Sequence, residues 1–123
     1  MNSTHNIGLL ITRIGFSALM LSHGIPKLMR LFEGDFSFGD PLGIGSTPSF
    51  FLTVFAEAIC PMLIIIGFKT RLASIPVIIT MAVAAFLVHG ADDFATKEKA
   101  LLYLVAFLGI ALLGPGKHSV DRK

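Results

Sequence analysis

Four long apolar stretches are the feature that most constrains the fold of this chain. They run over residues 7–31, 48–68, 72–89 and 97–113, separated by loops that carry glycine and charged residues. A helix that crosses a bilayer needs about 20 mostly apolar residues, and only helices and closed barrels satisfy their backbone groups there. The sequence therefore predicts an all-α fold, in which residues 1–123 form a single domain built as an antiparallel four-helix transmembrane bundle.

The composition agrees with an integral membrane protein in a lipid bilayer. Hydrophobic residues make up 54% of the chain and charged residues 15%, whereas a soluble domain has about 45–50% and about 25% of these classes. The net charge of +2 is small and is not concentrated on one helix, which argues against nucleic acid as a partner. The one cysteine, Cys60, cannot form an internal disulfide or a CxxC pair.

Lysine and arginine in the loops predict the orientation of the chain. The turn at 68–71 and the tail after residue 114 are basic, whereas the loops at 32–47 and 90–97 are mainly acidic. Short cytoplasmic loops carry the excess of Lys and Arg in membrane proteins. We therefore expect a multi-pass protein with both termini in the cytoplasm and the two acidic loops outside.

Ionisable side chains inside the first two apolar stretches indicate a functional site. A charge at the bilayer centre costs roughly 2.5–3.5 kcal/mol on insertion scales, so such residues usually have a partner or a function. Arg13, His23 and Lys27 fall on one face of the first helix, because residues three or four apart are neighbours. In the second stretch Thr53 lies one turn before Glu57. At 1.5 Å per residue, His23 and Glu57 lie roughly 12–14 Å below the outer boundary.

Two prolines and two boundary residues extend this prediction. Pro26 and Pro61 each remove a backbone hydrogen bond, and Pro61 frees the carbonyl of Glu57, which in lipid needs another partner. His89 ends the third stretch and Glu98 begins the fourth, both at the outer surface. The predicted outer site contains His23, Lys27, Glu57, His89 and Glu98.

Most of these residues also have a structural interpretation. Arg13, near the cytoplasmic end, and Lys27 can snorkel to the interfaces, and His23 can pack as a neutral ring bonded to a freed carbonyl. His89 and Glu98 can be ordinary boundary residues. Glu57 is the hardest to explain in this way, because a lone buried carboxylate would be protonated and a charged one needs a cation nearby. No ligand spacing such as HExxH or ExxH is present, so no metal site is predicted.

An ordered set of short motifs resembles the DoxX family over almost the whole chain. The motifs are Arg13-Ile14-Gly15, His23-Gly24-Ile25-Pro26-Lys27-Leu28, Ala56-Glu57, Gly67-Phe68-Lys69-Thr70-Arg71-Leu72-Ala73, Glu98-Lys99-Ala100-Leu101-Leu102, Gly114-Pro115-Gly116 and Ser119-Val120-Asp121. The resemblance implies a four-helix protein of the bacterial inner membrane. Relatives include a subunit of thiosulfate:quinone oxidoreductase and proteins linked to membrane oxidoreductase complexes and thiol stress, which implies redox work at the membrane.

The polar site and this resemblance together predict an auxiliary subunit of a membrane oxidoreductase that engages a quinone or a small thiol. Glu57 and His23 would exchange protons, and the remaining candidates would contact the substrate: Lys27, Thr53, His89, Glu98 and Arg13. Without a cysteine pair, thiol–disulfide chemistry would need a sulfur from elsewhere, so whether the chain is an enzyme by itself stays open. So short a chain has little surface to enclose a substrate, which favours a homodimer or a complex with a redox enzyme.

Two other functions fit the same residues. Proline-interrupted helices with freed carbonyls at mid-depth are a feature of transporter sites, which suggests a small proton-coupled transporter. Charges that pair with the helix of another protein would instead suit a non-enzymatic assembly factor or chaperone. The residues do not name the cofactor, and quinone, haem and metal stay open.

Overall fold

Helices make up nearly all of the regular structure of the protein. The computed structural model describes residues 3–36, 43–88 and 91–121, with the side chain of Thr96 excluded. In these ranges there is no strand, and the helices are α1 (Ser3–Phe32), α2 (Ser46–Ile66), α3 (Thr70–Val88) and α4 (Phe94–Leu113). The predicted all-helical class is therefore confirmed.

Three of these helices, α1, α2 and α3, are long and apolar enough to cross a membrane. The fourth helix begins at Phe94 and carries Lys97, Glu98 and Lys99 in its first two turns. Its apolar part, from Ala100 to Leu113, extends only roughly 20 Å at 1.5 Å per residue, whereas the hydrocarbon core is about 30 Å thick. The described residues thus contain three candidate spans, and the antiparallel bundle of four spans stays a prediction.

The helix ends have local chemical causes. The second helix begins at Ser46, two residues before the predicted start at Pro48, because proline is tolerated in a first turn where its missing N–H costs nothing. It ends at Ile66, because Gly67 takes a left-handed conformation with φ 75° that glycine adopts without strain. Lys69 is also left-handed, with φ 49°, so the chain reverses quickly into α3.

Apolar side chains from all four helices form a common core. Met20 of α1 and Ile64 of α2 contribute to it, together with Val77 of α3 and Phe107 of α4. The first helix packs against α2 and α4, and α3 also packs against α2 and α4. Many large apolar side chains remain exposed on the outside of the helices. An exposed apolar surface of this extent indicates a lipid environment.

A π-helical turn at Phe55–Ile59 shifts the backbone of α2 where α1 crosses it. The N–H of Cys60 bonds to the carbonyl of Phe55, five residues back, and Pro61 has no N–H to offer the carbonyl of Glu57. That carbonyl lies against Gly24 of α1, where a Cβ atom would overlap it. Glycine therefore allows α1 to approach the backbone of the π turn directly.

Replacing Gly24 with alanine should destabilise the fold by about 1–3 kcal/mol, the usual cost of overpacking. The added methyl group would overlap the Glu57 carbonyl and push α1 away from α2. Thermal unfolding in detergent, followed by circular dichroism, measures the effect. Gly15→Ala is the matched control, since nothing lies within 4 Å of a Cβ atom there, and should gain up to about 1 kcal/mol from helix propensity. Equal melting temperatures for the two variants would contradict the close approach at Gly24.

The segment after α4, which we call the tail, lies at the end of the bundle that contains the turn between α2 and α3. We call this end of the bundle the tail end. The Asp121 carboxylate accepts hydrogen bonds from the backbone N–H groups of Lys69 and Thr70, each at 2.9 Å, and so caps α3 from a distant part of the chain. The N–H of Lys117 donates to the side-chain oxygen of Asn6 in α1 at 3.3 Å. The tail therefore joins the beginnings of α1 and α3.

Arg13 fastens the same segment from inside the bundle. Its side chain is buried, with 2% exposed, and donates to the carbonyls of Pro115 at 2.6 Å, His118 at 2.7 Å and Ile65 at 3.3 Å. A planar guanidinium can serve several acceptors at once, whereas an ammonium is a compact point charge. Arg13 thus links α1 to the end of α2 and to the tail.

Replacing Arg13 with lysine should lower the stability by about 3 kcal/mol or more, because hydrogen bonds to charged groups contribute about 1.5–3 kcal/mol each and lysine cannot keep all three carbonyls. The melting temperature in detergent is the measurement. Arg30→Lys is the control, since the Arg30–Asp35 pair, at 3.3 Å, is largely exposed and such pairs contribute at most about 1 kcal/mol. Similar losses for the two variants would show that Arg13 does not fasten the tail.

Candidate functional site

An ion pair joins α1 and α2 at the other end of the bundle, which we call the site end. The Lys27 ammonium nitrogen lies 2.6 Å from a Glu57 carboxylate oxygen, and the two side chains are 28% and 6% exposed. Either charge alone would be costly at this depth, and pairing with a hydrogen bond offsets that cost. The π turn positions Glu57, and Lys27 lies one helical turn beyond Gly24, where the two helices come closest.

A largely apolar cavity of about 530 Å³ lies between α2 and α3 on one side of this ion pair. Lys27, Thr53 and Glu57 supply polar groups to its lining, and aliphatic and aromatic side chains supply most of the rest. The Thr53 hydroxyl donates to the Ser49 carbonyl at 2.9 Å. Lining residues such as Phe55 are exposed on the outside of the bundle, so the cavity opens toward lipid. We call it the apolar cavity.

A second cavity, of about 340 Å³, lies on the other side of the pair, between α1, α3 and α4. Its polar lining consists of His23, Lys27, Glu57, Lys99 and Tyr103. The His23 and Tyr103 rings meet edge to face, with their centroids 5.7 Å apart. We call this the polar cavity. Because Lys27 and Glu57 line both cavities, the ion pair lies between an apolar and a polar compartment.

Both π-helical turns of the described chain border these cavities. Phe55–Ile59 carries Glu57, and Ala84–Val88 ends α3, where Ala84 lines both compartments. A π turn widens a helix by one residue and is frequently found at functional sites. The two π turns therefore lie beside the cavities, where the helices are far enough apart to leave space between them.

Four of the residues predicted for the site line the cavities. His23, Lys27 and Glu57 border the polar cavity, and Thr53 borders the apolar one. In the described residues, no group of three His, Cys, Asp or Glu side chains could hold a metal ion. The arrangement can offer hydrogen-bond donors, a charge pair and an exchangeable proton to a bound molecule.

Two of the other predicted residues do not come to this place. Arg13 lies at the tail end, where it binds backbone carbonyls. Glu98 is exposed at the beginning of α4 and lines neither cavity. His89 lies outside the described residues.

Lys99 and Tyr103 line the polar cavity but were not predicted from the sequence. Neighbouring residues on a helix point about 100° apart, so Lys99 faces the cavity while Glu98 faces away. A signal was present: Lys99, Tyr103 and Phe107 are four residues apart, and Tyr103 is the one tyrosine of the chain. This spacing predicts a common helix face that begins polar and ends in the core.

The chain matches the model of a known protein family. The model of the DoxX family matches residues 8–90, which is more than half of the chain and includes Lys27, Glu57 and both π turns. The chain belongs to the DoxX family. The DoxX match ends before α4, so Lys99 and Tyr103 lie beyond the matched range.

A curated relative extends the likeness to the whole chain. Inner membrane protein YqjF of Escherichia coli (strain K12) is 27% identical over 130 residues, covering 99% of this chain and 95% of the relative. No solved structure matches this DoxX protein. The relative and the three apolar helices support a protein of the bacterial inner membrane, and the orientation of the termini stays a prediction.

Removing one member of the ion pair should lower the stability of the fold more than removing both. Lys27→Met leaves the Glu57 carboxylate buried without its cation, which costs about 3–5 kcal/mol for a fully buried pair. The double variant Lys27→Met with Glu57→Gln removes that uncompensated charge and should regain much of the stability that the single variant loses. Melting temperatures of the single and double variants in detergent form a double-mutant cycle. Strictly additive losses would show that the two side chains do not depend on each other.

Proposed function

We propose that this DoxX protein is an integral protein of the bacterial inner membrane that binds a lipid-soluble quinone in the apolar cavity. It would serve there as an auxiliary subunit of a membrane oxidoreductase. The observation that supports this most is the Lys27–Glu57 pair in the wall of an apolar cavity that opens toward lipid.

The cavity suits a molecule with an apolar body and a polar head. Its volume of about 530 Å³ lies within the roughly 300–1,000 Å³ of small-molecule sites. The walls would bury an isoprenoid or alkyl chain, which can enter sideways from the bilayer. The Lys27 ammonium has two N–H donors besides the one that it gives to Glu57, and a quinone carbonyl oxygen would need such a donor.

The ion pair also supplies the proton chemistry of a quinone. Reduction of a quinone to a quinol takes up two electrons and two protons, and in lipid the protons need a polar route. Glu57 lines both cavities, so it can pass a proton between the quinone head and the polar cavity, where His23 is the next exchanging group. The two electrons would come from the partner oxidoreductase.

The position of Cys60 favours a quinone over a small thiol. The cysteine is buried in the core, with 1% of it exposed, and it lines neither cavity. A buried thiol among aliphatic side chains is inert toward exchange. Of the two substrate classes predicted from the sequence, the quinone is therefore the one that we propose.

Tryptophan fluorescence can test quinone binding directly, because the chain has no tryptophan and quinones quench indole emission at short range. Ile79 lines the apolar cavity, so an Ile79→Trp variant in lipid nanodiscs should be quenched by decylubiquinone in a saturable way. Ile75, one turn earlier on α3 and similarly exposed, is absent from the cavity lining. Ile75→Trp should show only the linear quenching caused by quinone dissolved in the lipid.

A second substitution connects binding to the ion pair. Adding Lys27→Met to the Ile79→Trp variant should weaken the saturable quenching about tenfold, since a charge-assisted hydrogen bond of roughly 1.5 kcal/mol is lost. Circular dichroism would establish that the double variant is folded. Linear, equal quenching of the two tryptophan reporters would rule out a quinone site in the apolar cavity.

A further inference from the structure

The polar cavity has a lining that suits a different ligand from the apolar one. We propose that it binds a small organic monoanion, a carboxylate or sulfonate on an apolar body, that enters from water beside Lys99. The proposal concerns a separate cavity and holds with or without a quinone on the other side of the ion pair.

The charges of the lining favour one negative charge. Lys27 and Lys99 bring two ammonium groups, and Glu57 brings one carboxylate. Glu57 is bonded to Lys27 at 2.6 Å, and no described carboxylate lies within ion-pair distance of Lys99. With a neutral histidine, the cavity therefore carries one positive charge in excess, which a monoanion would balance.

The remaining side chains favour a ligand with an apolar part. His23 and Tyr103 are both half-buried in the cavity lining, and an imidazole and a phenol can each donate one hydrogen bond to an oxyanion. Met20 and Met81 form much of the apolar wall, and methionine adapts readily to the shape of an apolar group. An inorganic anion would leave this wall without a contact.

The position of Lys99 indicates the route of entry. Lys99 is exposed near the beginning of α4, and Tyr103 lies one turn farther along and is half-buried. The ammonium group therefore lies at the mouth of the cavity, and the hydroxyl lies below it. A cation at a mouth attracts a water-soluble anion, and the low-dielectric walls behind it strengthen that attraction.

Benzoate and its neutral analogue benzamide can test the proposal. Calorimetric titration of the full-length protein in nanodiscs of zwitterionic lipid, at constant ionic strength, should show saturable binding of benzoate and at least tenfold weaker binding of benzamide, because charge-assisted hydrogen bonds are roughly twice as strong as neutral ones. Lys99→Met should lower the affinity for benzoate about tenfold, and Tyr103→Phe about threefold.

Lys97→Met is the matched control, since it removes the same charge from the same helix at a residue that does not line the cavity. It should change the affinity for benzoate less than about twofold, the effect of a screened charge. Equal losses for Lys97→Met and Lys99→Met, equal binding of benzoate and benzamide, or no binding of benzoate would each overturn the proposal. The quinone quenching of Ile79→Trp is a separate measurement that does not depend on these results. Either proposal can therefore fail while the other holds.

Discussion

The buried ion pair between Lys27 and Glu57 is the interaction on which the arrangement of the site end depends. A carboxylate that is 6% exposed between membrane helices needs a cation within hydrogen-bonding distance, and that cation must come from another helix. This requires α1 and α2 to approach very closely. Gly24 makes the approach possible because it has no side chain, and the π turn brings the Glu57 carbonyl against it. The charge pair and the close backbone contact are therefore one structural unit.

The residues that carry the resemblance to the DoxX family fall into two groups at opposite ends of the bundle. One group, with Gly24, Lys27 and Glu57, forms the contact between α1 and α2 at the site end. The other group fastens the tail, through the guanidinium of Arg13 and the carboxylate of Asp121. At the tail end, Arg13 and Asp121 bond to backbone groups of the chain, whereas the polar side chains at the site end border open space. We therefore place the proposed binding site at the site end.

The sequence predicted the all-helical class, and its depth estimate placed His23 and Glu57 at a similar depth in the outer half, because apolar length and helical rise are local properties. It did not predict that Arg13 binds the tail. The partners are backbone carbonyls more than a hundred residues away, and because every residue has a carbonyl, the sequence does not show which ones Arg13 binds. Lys99 was missed for another reason. It follows Glu98 directly, and only the rotation of α4 in the fold decides which of the two faces the polar cavity. Pro61 predicted a freed carbonyl at Glu57, but the sequence analysis did not predict the π turn.

If the two cavities bind the proposed ligands, the position of the ion pair between them would couple the two binding events. A quinone head that takes a hydrogen bond from Lys27 would weaken the hold of Lys27 on Glu57, and the carboxylate would then face the polar cavity with its charge less compensated. A monoanion bound there would meet a stronger repulsion, so each ligand would weaken the other. Thermodynamic linkage makes this effect reciprocal, with the same factor for both affinities. A proton taken up by Glu57 would remove this effect, because it removes the repelling charge. Protonation of one carboxylate could thus decide whether the two sites exclude or tolerate each other, and this coupling requires no movement of the helices.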